Sequence, residues 1–256
     1  MSKELVVVNE DSDLMVLDEG DEGGSGLQNV SENDQLVPRL QIAAGTSKQI
    51  MKGHEKHIQG LQVGQIFNTV SKEVYGDTVV VVPVWYSKNR ILFDKDWKIE
   101  CSSPDGIKGG KITPVCADCE YSQWGTGKDD KGFACTEFRN FAALVLDADG
   151  MPTLTSISFK STSSGMAKTW LNMIDARKAR TSTGVMVKMP MYLGLYNLAP
   201  SAKEGKKGVF YVWSVNNAGT IDTKEAAGKH LADLAKKAYN RFAKAELTLA
   251  GAGDSE

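Results

Sequence analysis

The chain has 256 residues, of which 41% are hydrophobic and 24% are charged, so it carries enough apolar material for one sizeable core. No apolar run approaches the roughly 18 residues that a membrane-spanning helix needs. The short apolar stretch at residues 5–8 lies among acids and does not follow a basic segment, which argues against a secretory signal. We therefore expect a cytoplasmic protein with no membrane partner.

The formal net charge of −2 is unevenly distributed along the chain. Residues 1–36 hold ten acidic side chains and one basic one, a net −9, whereas residues 37–256 hold 29 basic and 22 acidic ones, a net +7. Such an acidic segment with a glycine-rich stretch at 20–26 cannot bury enough apolar surface to order itself. We predict a disordered acidic arm over 1–36 that competes for a basic surface, recruits a protein partner or only aids solubility.

Beyond residue 37 the pattern favours strands. The runs at 63–74 and 78–86 flank turn residues and predict a hairpin, in whose second strand Pro83 indicates an edge position or a bulge. Residues 100–136 then lack periodicity and are rich in Gly, Asp, Lys and Ser, which is typical of a loop-rich insertion. Further strand signals occupy residues 137–146, 153–159, 185–196 and 208–215.

Two helices are predicted. A Ser/Thr cluster at 161–164 precedes a helix over 165–180, whose apolar stripe is Met166, Trp170, Met173 and Ile174. A second helix begins near a capping pair, Asp222 and Glu225, and its apolar face consists of Leu231, Leu234, Ala235, Ala238 and Phe242.

The order of these elements is strand, strand, insertion, strand, helix, strand, strand, when the signals at 137–146 and 153–159 are counted as one strand. A five-stranded sheet with a helix between its third and fourth strands has the chain order of an OB-fold, a Greek-key barrel that often binds oligonucleotides. We therefore predict a mainly β (α+β) protein. Its parts are the arm at 1–36, an OB-fold-like barrel at 37–220 with the insertion at about 100–136, and a C-terminal helix and tail at 221–256.

All four cysteines lie in the insertion. Cys116 and Cys119 form a CxxC pair, a spacing that lets two thiolates reach one tetrahedral metal, and Cys101 and Cys135 lie on either side of it. Four thiolates on irregular backbone favour a structural zinc ion, because such a site fixes a loop that has no core of its own. An iron–sulfur cluster on the same thiolates and unmetallated thiols stay open as alternatives. A redox CxxC is disfavoured because its usual βαβ context is missing.

The sequence offers no catalytic constellation. His54 and His57 do not match the HExxH pattern of zinc hydrolases, and the chain contains no Walker A loop, nucleophile elbow or dinucleotide-binding turn. We therefore predict a protein that is not an enzyme, with a nuclease or recombination enzyme left as a distant alternative.

Aromatic and basic side chains alternate in two stretches, 85–98 and 188–213. Binding of single-stranded nucleic acid needs flat rings on which bases stack and cations along the phosphate path. In a barrel about half of such rings face inward, and strand alternation places Trp85 and Tyr86 on opposite faces. The candidate contacts are Trp85, Tyr86, Lys88, Arg90, Trp97, Lys98, Arg177, Arg180, Lys188, Tyr192, Tyr196, Lys206, Lys207 and Tyr211.

Three stretches carry a family resemblance: residues 37–43 (VPRLQIA), residues 60–69 (GLQVGQIFNT), and the cysteine set with Gln123-Trp-Gly125 inside it. They resemble small proteins encoded by tailed bacteriophages, some of which are taken to be single-stranded DNA-binding proteins with an OB-fold and a metal-bound insertion. The resemblance implies a protein in the host cytoplasm that coats and protects single-stranded DNA in replication or recombination, with the acidic arm as a contact for replication or recombination proteins. The alternative is a zinc-stabilised protein-interaction or virion-associated module that binds no nucleic acid.

Overall fold

The computed structural model describes residues 37–146, 151–181, 183–205, 208–244 and 249. The predicted acidic arm, the predicted turn at 147–150, Lys206 and Lys207 therefore lie outside the described residues, as does most of the predicted tail. No helix within the described residues is long and apolar enough to cross a membrane.

The described part of the chain is mainly β, with antiparallel sheets and two α-helices. In chain order the elements are β1 (Leu40–Ile42), β2 (Ile66–Asn68), β3 (Val74–Gly76), β4 (Val79–Phe93), β5 (Ile99–Ser103), β6 (Thr136–Leu146), β7 (Pro152–Lys160), α1 (Ser164–Asp175), β8 (Lys178–Arg180), β9 (Met186–Lys188), β10 (Gly194–Gly205), β11 (Gly208–Thr220) and α2 (Ala226–Ala243).

The main sheet has the strand order β11-β10-β4-β6-β7, and all of these neighbours are antiparallel. β5 pairs with the far end of β4, while β1-β2-β3 and β8-β9 form two small sheets. Within the described ranges no pairing joins the edge strands β7 and β11. The five-stranded barrel expected from the sequence is therefore not closed, and the sheet stays open at these two edges.

The interior of the sheet is organised around Trp170 of α1, which is fully buried. Its ring stacks on Phe141 of β6 at 4.1 Å between centroids and meets Tyr196 of β10 edge-on at 5.7 Å. The same cluster contains buried residues from all five strands, and α1 packs against β6, β7 and β11. The predicted apolar stripe of this helix is thereby confirmed, and the helix fills the space between the two open edges.

The opposite face of the sheet is covered by α2. Val82 and Val84 of β4 meet Ala235 and Phe242 of the helix in a second cluster, as the predicted apolar face of this helix requires. The ladder between β4 and β6 shifts register between Pro83 and Trp85, so Pro83 marks a bulge in a central strand and not an edge. A bulge inserts one extra residue and re-aims the side chains beyond it.

The predicted strand over 63–74 is wrong, as is its hairpin with the next strand. The chain turns back between β2 and β3, and these two strands pair with each other in the small β1-β2-β3 sheet. Asn68 stabilises the turn, because its side-chain oxygen accepts the backbone N–H groups of Val70 at 2.9 Å and Ser71 at 3.1 Å. This local bond competes with a continuous strand.

Three other predicted boundaries change. α1 ends at Asp175 and not at residue 180, since Lys178–Arg180 form β8. The predicted strand at 185–196 is split between β9 and β10 at Pro190, which cannot donate to a ladder. The predicted capping pair does not form: Glu225 is the N-cap of α2 but makes no side-chain cap bond. The strands at 137–146, 153–159 and 208–215 are confirmed.

Replacing Trp170 by Ala should destabilise the protein by about 3–5 kcal/mol, because the cavity left between the sheet edges cannot collapse. Urea unfolding followed by far-UV circular dichroism measures this change. Thr169→Ala on the exposed side of the same helix is the matched control and should stay within about 0.5 kcal/mol of the wild type. A loss below about 1 kcal/mol for Trp170→Ala would show that this ring does not hold the edges together.

Candidate nucleic-acid interface and thiol cluster

The four cysteines line one cavity of about 20 Å³, which we call the thiol cavity. Cys101 lies in β5, Cys116 and Cys119 in and just after a 3-10 turn, and Cys135 directly before β6. Three of them are buried, Cys101 is half-buried, and all four are free thiols. The structure thus places the predicted metal ligands around a single small space.

Two hydrogen bonds of Ser122 and the close passage of the loop at Gly110 shape the thiol cavity. The Ser122 hydroxyl lies 2.6 Å from the carbonyl oxygen of Cys116 and 2.8 Å from that of Cys119, which fixes the turn carrying both thiols. A Cβ atom on Gly110 would lie 2.4 Å from the backbone oxygen of Ser102 and 2.8 Å from the sulfur of Cys101, so only glycine lets this loop pass so close to β5.

A metal ion would require the sulfurs to move closer together. Among the residues that the structure describes, no three Cys, His, Asp or Glu side chains converge tightly enough to hold a metal as they stand. Zinc–sulfur bonds are about 2.3 Å long, so binding would draw the thiols toward the centre of the cavity. Burial raises the pKa of the Cys135 thiol to about 11, and an ion would therefore displace a proton from it.

A chain of charged side chains runs from the thiol cavity to the start of α1. Arg90, which lines the cavity, donates from Nη2 to Glu137 at 3.1 Å, and the other oxygen of Glu137 pairs with Arg139. Arg139 donates in turn to the Tyr86 hydroxyl at 3.2 Å and to Ser164 Oγ at 3.0 Å. Burial raises the pKa of Tyr86 although the neighbouring Arg139 opposes this shift. The Nε of Arg90 is buried without a hydrogen-bond partner.

This network forms the floor of a groove of about 730 Å³, here called the insertion groove. Two aromatic rings on the insertion contribute to its lining: Trp124, which is 74% exposed, and Phe133, which is 50% exposed. They meet edge-on at 5.4 Å. Arg90 and Cys135 line both this groove and the thiol cavity. The basic side chains that line the groove are Arg90, Lys128, Lys131, Arg139 and Lys168.

A second groove of about 520 Å³ lies between β1, β7 and β11, and we call it the edge groove. Tyr211 and Lys160 line it, and the Lys160 ammonium lies 5.6 Å from the ring centre of Phe138. Ser161 and Thr162 line both grooves, so the two adjoin. Together they form a continuous surface along the open side of the sheet.

Several residues that the sequence suggested for nucleic-acid contact are structural. Tyr196 is 1% exposed in the core, and the Arg177 guanidinium lies 5.5 Å from its ring centre and donates to the Thr220 hydroxyl at 2.6 Å. Trp85 and Tyr192 pack against α2, whose Phe242 stacks on Trp85. The rings of Trp85 and Tyr192 are thereby partly covered by protein.

The remaining suggested residues are spread over several surfaces. Arg90 lines the insertion groove and Tyr211 the edge groove, and Tyr86 supports Arg139 from beneath. Trp97 is 79% exposed at the β4–β5 turn next to Lys98, outside both grooves. The other described ones lie elsewhere: Lys88 on β4, Arg180 on β8, and Lys188 on β9 in an ion pair with Asp175.

Most residues of the insertion groove are not among those that the sequence suggested. Its missed residues are Trp124, Lys128, Lys131, Phe133, Arg139 and Lys168. A usable signal existed in the insertion, because Trp124 and Phe133 are large apolar residues in a segment otherwise rich in Gly, Asp and Lys. Such residues face a core or a ligand.

A family described as "Pam3 phage gp34-like protein" matches residues 8–248. No curated protein and no solved structure matches the chain.

The raised pKa of Cys135 predicts slow alkylation in metal-free protein. At pH 8 a thiol with a pKa of about 11 is about a thousandth ionised, whereas an ordinary cysteine is about a quarter ionised. Iodoacetamide should therefore modify Cys135 at least a hundredfold more slowly than the same residue in urea-unfolded protein, as measured by mass spectrometry of its tryptic peptide. The rate should rise with pH up to about 11. Equal rates in folded and unfolded protein would contradict the burial of this thiol.

Proposed function

The chain belongs to the Pam3 phage gp34-like family, and we propose that it is a non-enzymatic protein that binds and coats single-stranded DNA. The observation that carries this proposal is the insertion groove, in which two exposed aromatic rings stand beside five basic side chains. Stacking platforms next to a cationic path are what sequence-tolerant binding of single strands requires.

The side chains of the groove have different roles in this proposal. Trp124 presents an open ring face, and a base stacked there would remove from water an apolar surface that is otherwise costly to expose. Lys128, Lys131 and Lys168 are exposed and would meet phosphates. Arg90 and Arg139 both form ion pairs with Glu137, which partly neutralise their positive charge. These two arginines would therefore mainly form the floor of the groove.

The charge balance of the groove predicts moderate, salt-sensitive binding. Asp129 and Asp130 lie between Lys128 and Lys131 and are exposed, so they weaken the local positive field. Affinity that comes from a few phosphate contacts falls as salt rises, because the release of counterions from the strand gains less entropy in concentrated salt. Coating in replication or recombination would then rest on many copies along one strand.

The strand order supports the finer proposal of an OB-fold-like architecture. β4, β6 and β7 are followed by α1 and then by the β10–β11 hairpin, and β10 returns to pair with β4. This is the chain order of an OB-fold, which is a partly open Greek-key barrel that binds oligonucleotides through the loops after its first and fourth strands. In that arrangement the cysteine insertion is the loop after the first strand.

We also propose a structural zinc ion on Cys101, Cys116, Cys119 and Cys135. Four sulfur ligands leave no open coordination position, which suits a structural site. The unpartnered Nε of Arg90 at the cavity supports an anionic centre there, since a bound thiolate would accept its hydrogen bond. The ion would hold in place the insertion that carries Trp124 and Phe133.

Protein purified without chelator should contain one zinc ion per chain by elemental analysis, because four thiolates complete a tetrahedral site. Cys119→Ser should reduce the zinc content well below one and lower the melting temperature, as metal binding contributes to folding. Iron with labile sulfide in place of zinc would identify a cluster. Protein with neither metal would contradict the proposed site.

Trp124→Ala should weaken binding to oligo(dT) about 5- to 150-fold, the loss of one base–aromatic stack of about 1–3 kcal/mol. Fluorescence anisotropy of labelled oligonucleotide at 50 mM salt measures this change. Trp97→Ala is the matched control, because this tryptophan is equally exposed but lies outside both grooves, and its affinity should be unchanged.

Failure of the wild-type protein to bind oligo(dT) at 50 mM salt would overturn the proposal. The exposed apolar side chains Ile107, Ile112 and Val115 of the insertion would then favour the alternative, a protein-interaction or virion-associated module. An unchanged affinity of the Trp124→Ala variant would place the binding surface elsewhere on the chain, and equal losses for the two tryptophan variants would contradict a binding site in the insertion groove.

A further inference from the structure

The hairpin of β8 and β9 carries basic side chains that neither groove uses. Its two strands pair only with each other, in a small sheet between α1 and β10. Every described residue of its turn and of β9 is exposed, as are Lys178 and Arg180 of β8. None of its described residues, 178–181 and 183–188, lines the insertion groove or the edge groove. We call this hairpin the basic ribbon.

The cations of the basic ribbon share one face, which points to solvent. Lys178 lies directly opposite Lys188 in the ladder, and Arg180 lies two residues further along β8 on the same side. By the same alternation Val187 and Met189 share the opposite side, and Met189 is buried. The side of Met189 therefore turns toward the body, and the three cations turn away from it.

This arrangement of charge costs stability. Like charges directly opposite each other on antiparallel strands repel, and a hairpin without a third strand is only marginally stable. Asp175 at the end of α1 pairs with Lys188, but both side chains are mostly exposed, and such a pair contributes little. Lys178 and Arg180 make no side-chain hydrogen bond or ion pair with the described residues. The face therefore suits a ligand that supplies several negative charges.

Double-stranded DNA fits this face better than a single strand does. The basic ribbon contains no aromatic residue, so it has no ring on which an unpaired base could stack. A surface that binds by charge alone gains most from densely spaced phosphates, and duplex DNA carries one charge per about 1.7 Å of its axis, twice the density of one strand. A two-stranded hairpin also fits the major groove, which is about 12 Å wide.

We propose that the basic ribbon binds duplex DNA through its phosphates, with Lys178, Arg180 and Lys188 as the contacts. The insertion groove lies at the other end of α1: Ser164 lines the groove and Asp175 meets the ribbon, so the 12 residues of the helix, about 18 Å, lie between the two sites. A strand in the groove and a duplex on the ribbon would place the protein at a junction of the two. Only this junction rests on the proposed function, and the duplex contact does not.

Binding of a labelled duplex of about 20 base pairs to the full chain tests the site. Wild-type protein should bind this duplex at 50 mM salt in fluorescence anisotropy, and Lys178→Ala with Arg180→Ala should weaken the binding about tenfold. The slope of log affinity against log salt should become shallower by about two, because two phosphate contacts are lost. Binding of oligo(dT) should be unchanged in this variant.

Lys48→Ala with Lys52→Ala is the matched control, because it removes the same charge from exposed lysines in the loop between β1 and β2. Its duplex affinity should equal that of the wild type. An equal loss in this control, undiminished duplex binding by the ribbon variant, or no duplex binding by the wild type would each overturn the proposal. An equal loss of oligo(dT) binding in the ribbon variant would assign the ribbon to single strands and overturn it too. Duplex binding without oligo(dT) binding would contradict the proposed function and support the ribbon site.

A single charge reversal separates duplex binding from a structural role of the ribbon. Lys178→Glu places opposite charges across the ladder at Lys188, so the melting temperature should equal or exceed that of the wild type. The duplex affinity of this variant should nevertheless fall about tenfold. A lower melting temperature together with weaker binding would show that Lys178 acts through the fold of the hairpin, which would overturn the proposal.

Discussion

The packing of Trp170 between two unpaired sheet edges is the constraint on which the rest of the structure depends. A sheet that stays open at β7 and β11 must cover its apolar interior with something other than a strand. α1 does this with one large ring, which stacks on Phe141 and meets Tyr196. Because α1 begins directly after β7, its first turn is held at the rim of the sheet, next to the start of β6.

The position of the first turn of α1 determines which charged side chains meet at this edge of the sheet. Ser164 at the start of α1 accepts from Arg139, which connects through Glu137 to Arg90 and the thiol cavity. The insertion between β5 and β6 thus stands on a floor made by the sheet and the helix together. In the function proposed here, the four thiols would hold the wall of the groove and the charged network would hold its base.

The sequence by itself determined the features that depend on local patterns. The β-branched run of β4, the strands on either side of residues 147–150, the amphipathic faces of both helices and the gathering of the cysteines in one insertion all follow from residue types and short spacings. Only the tertiary structure decided that the sheet stays open, that the stretch before β4 forms its own small sheet, and that Tyr196 and Trp85 face protein. It also decided which cations line the same groove as Trp124 and Phe133, since these cations come from β4, β6, α1 and the insertion. Strand partners and ring exposure depend on contacts between residues far apart in the chain, and no local pattern encodes those contacts.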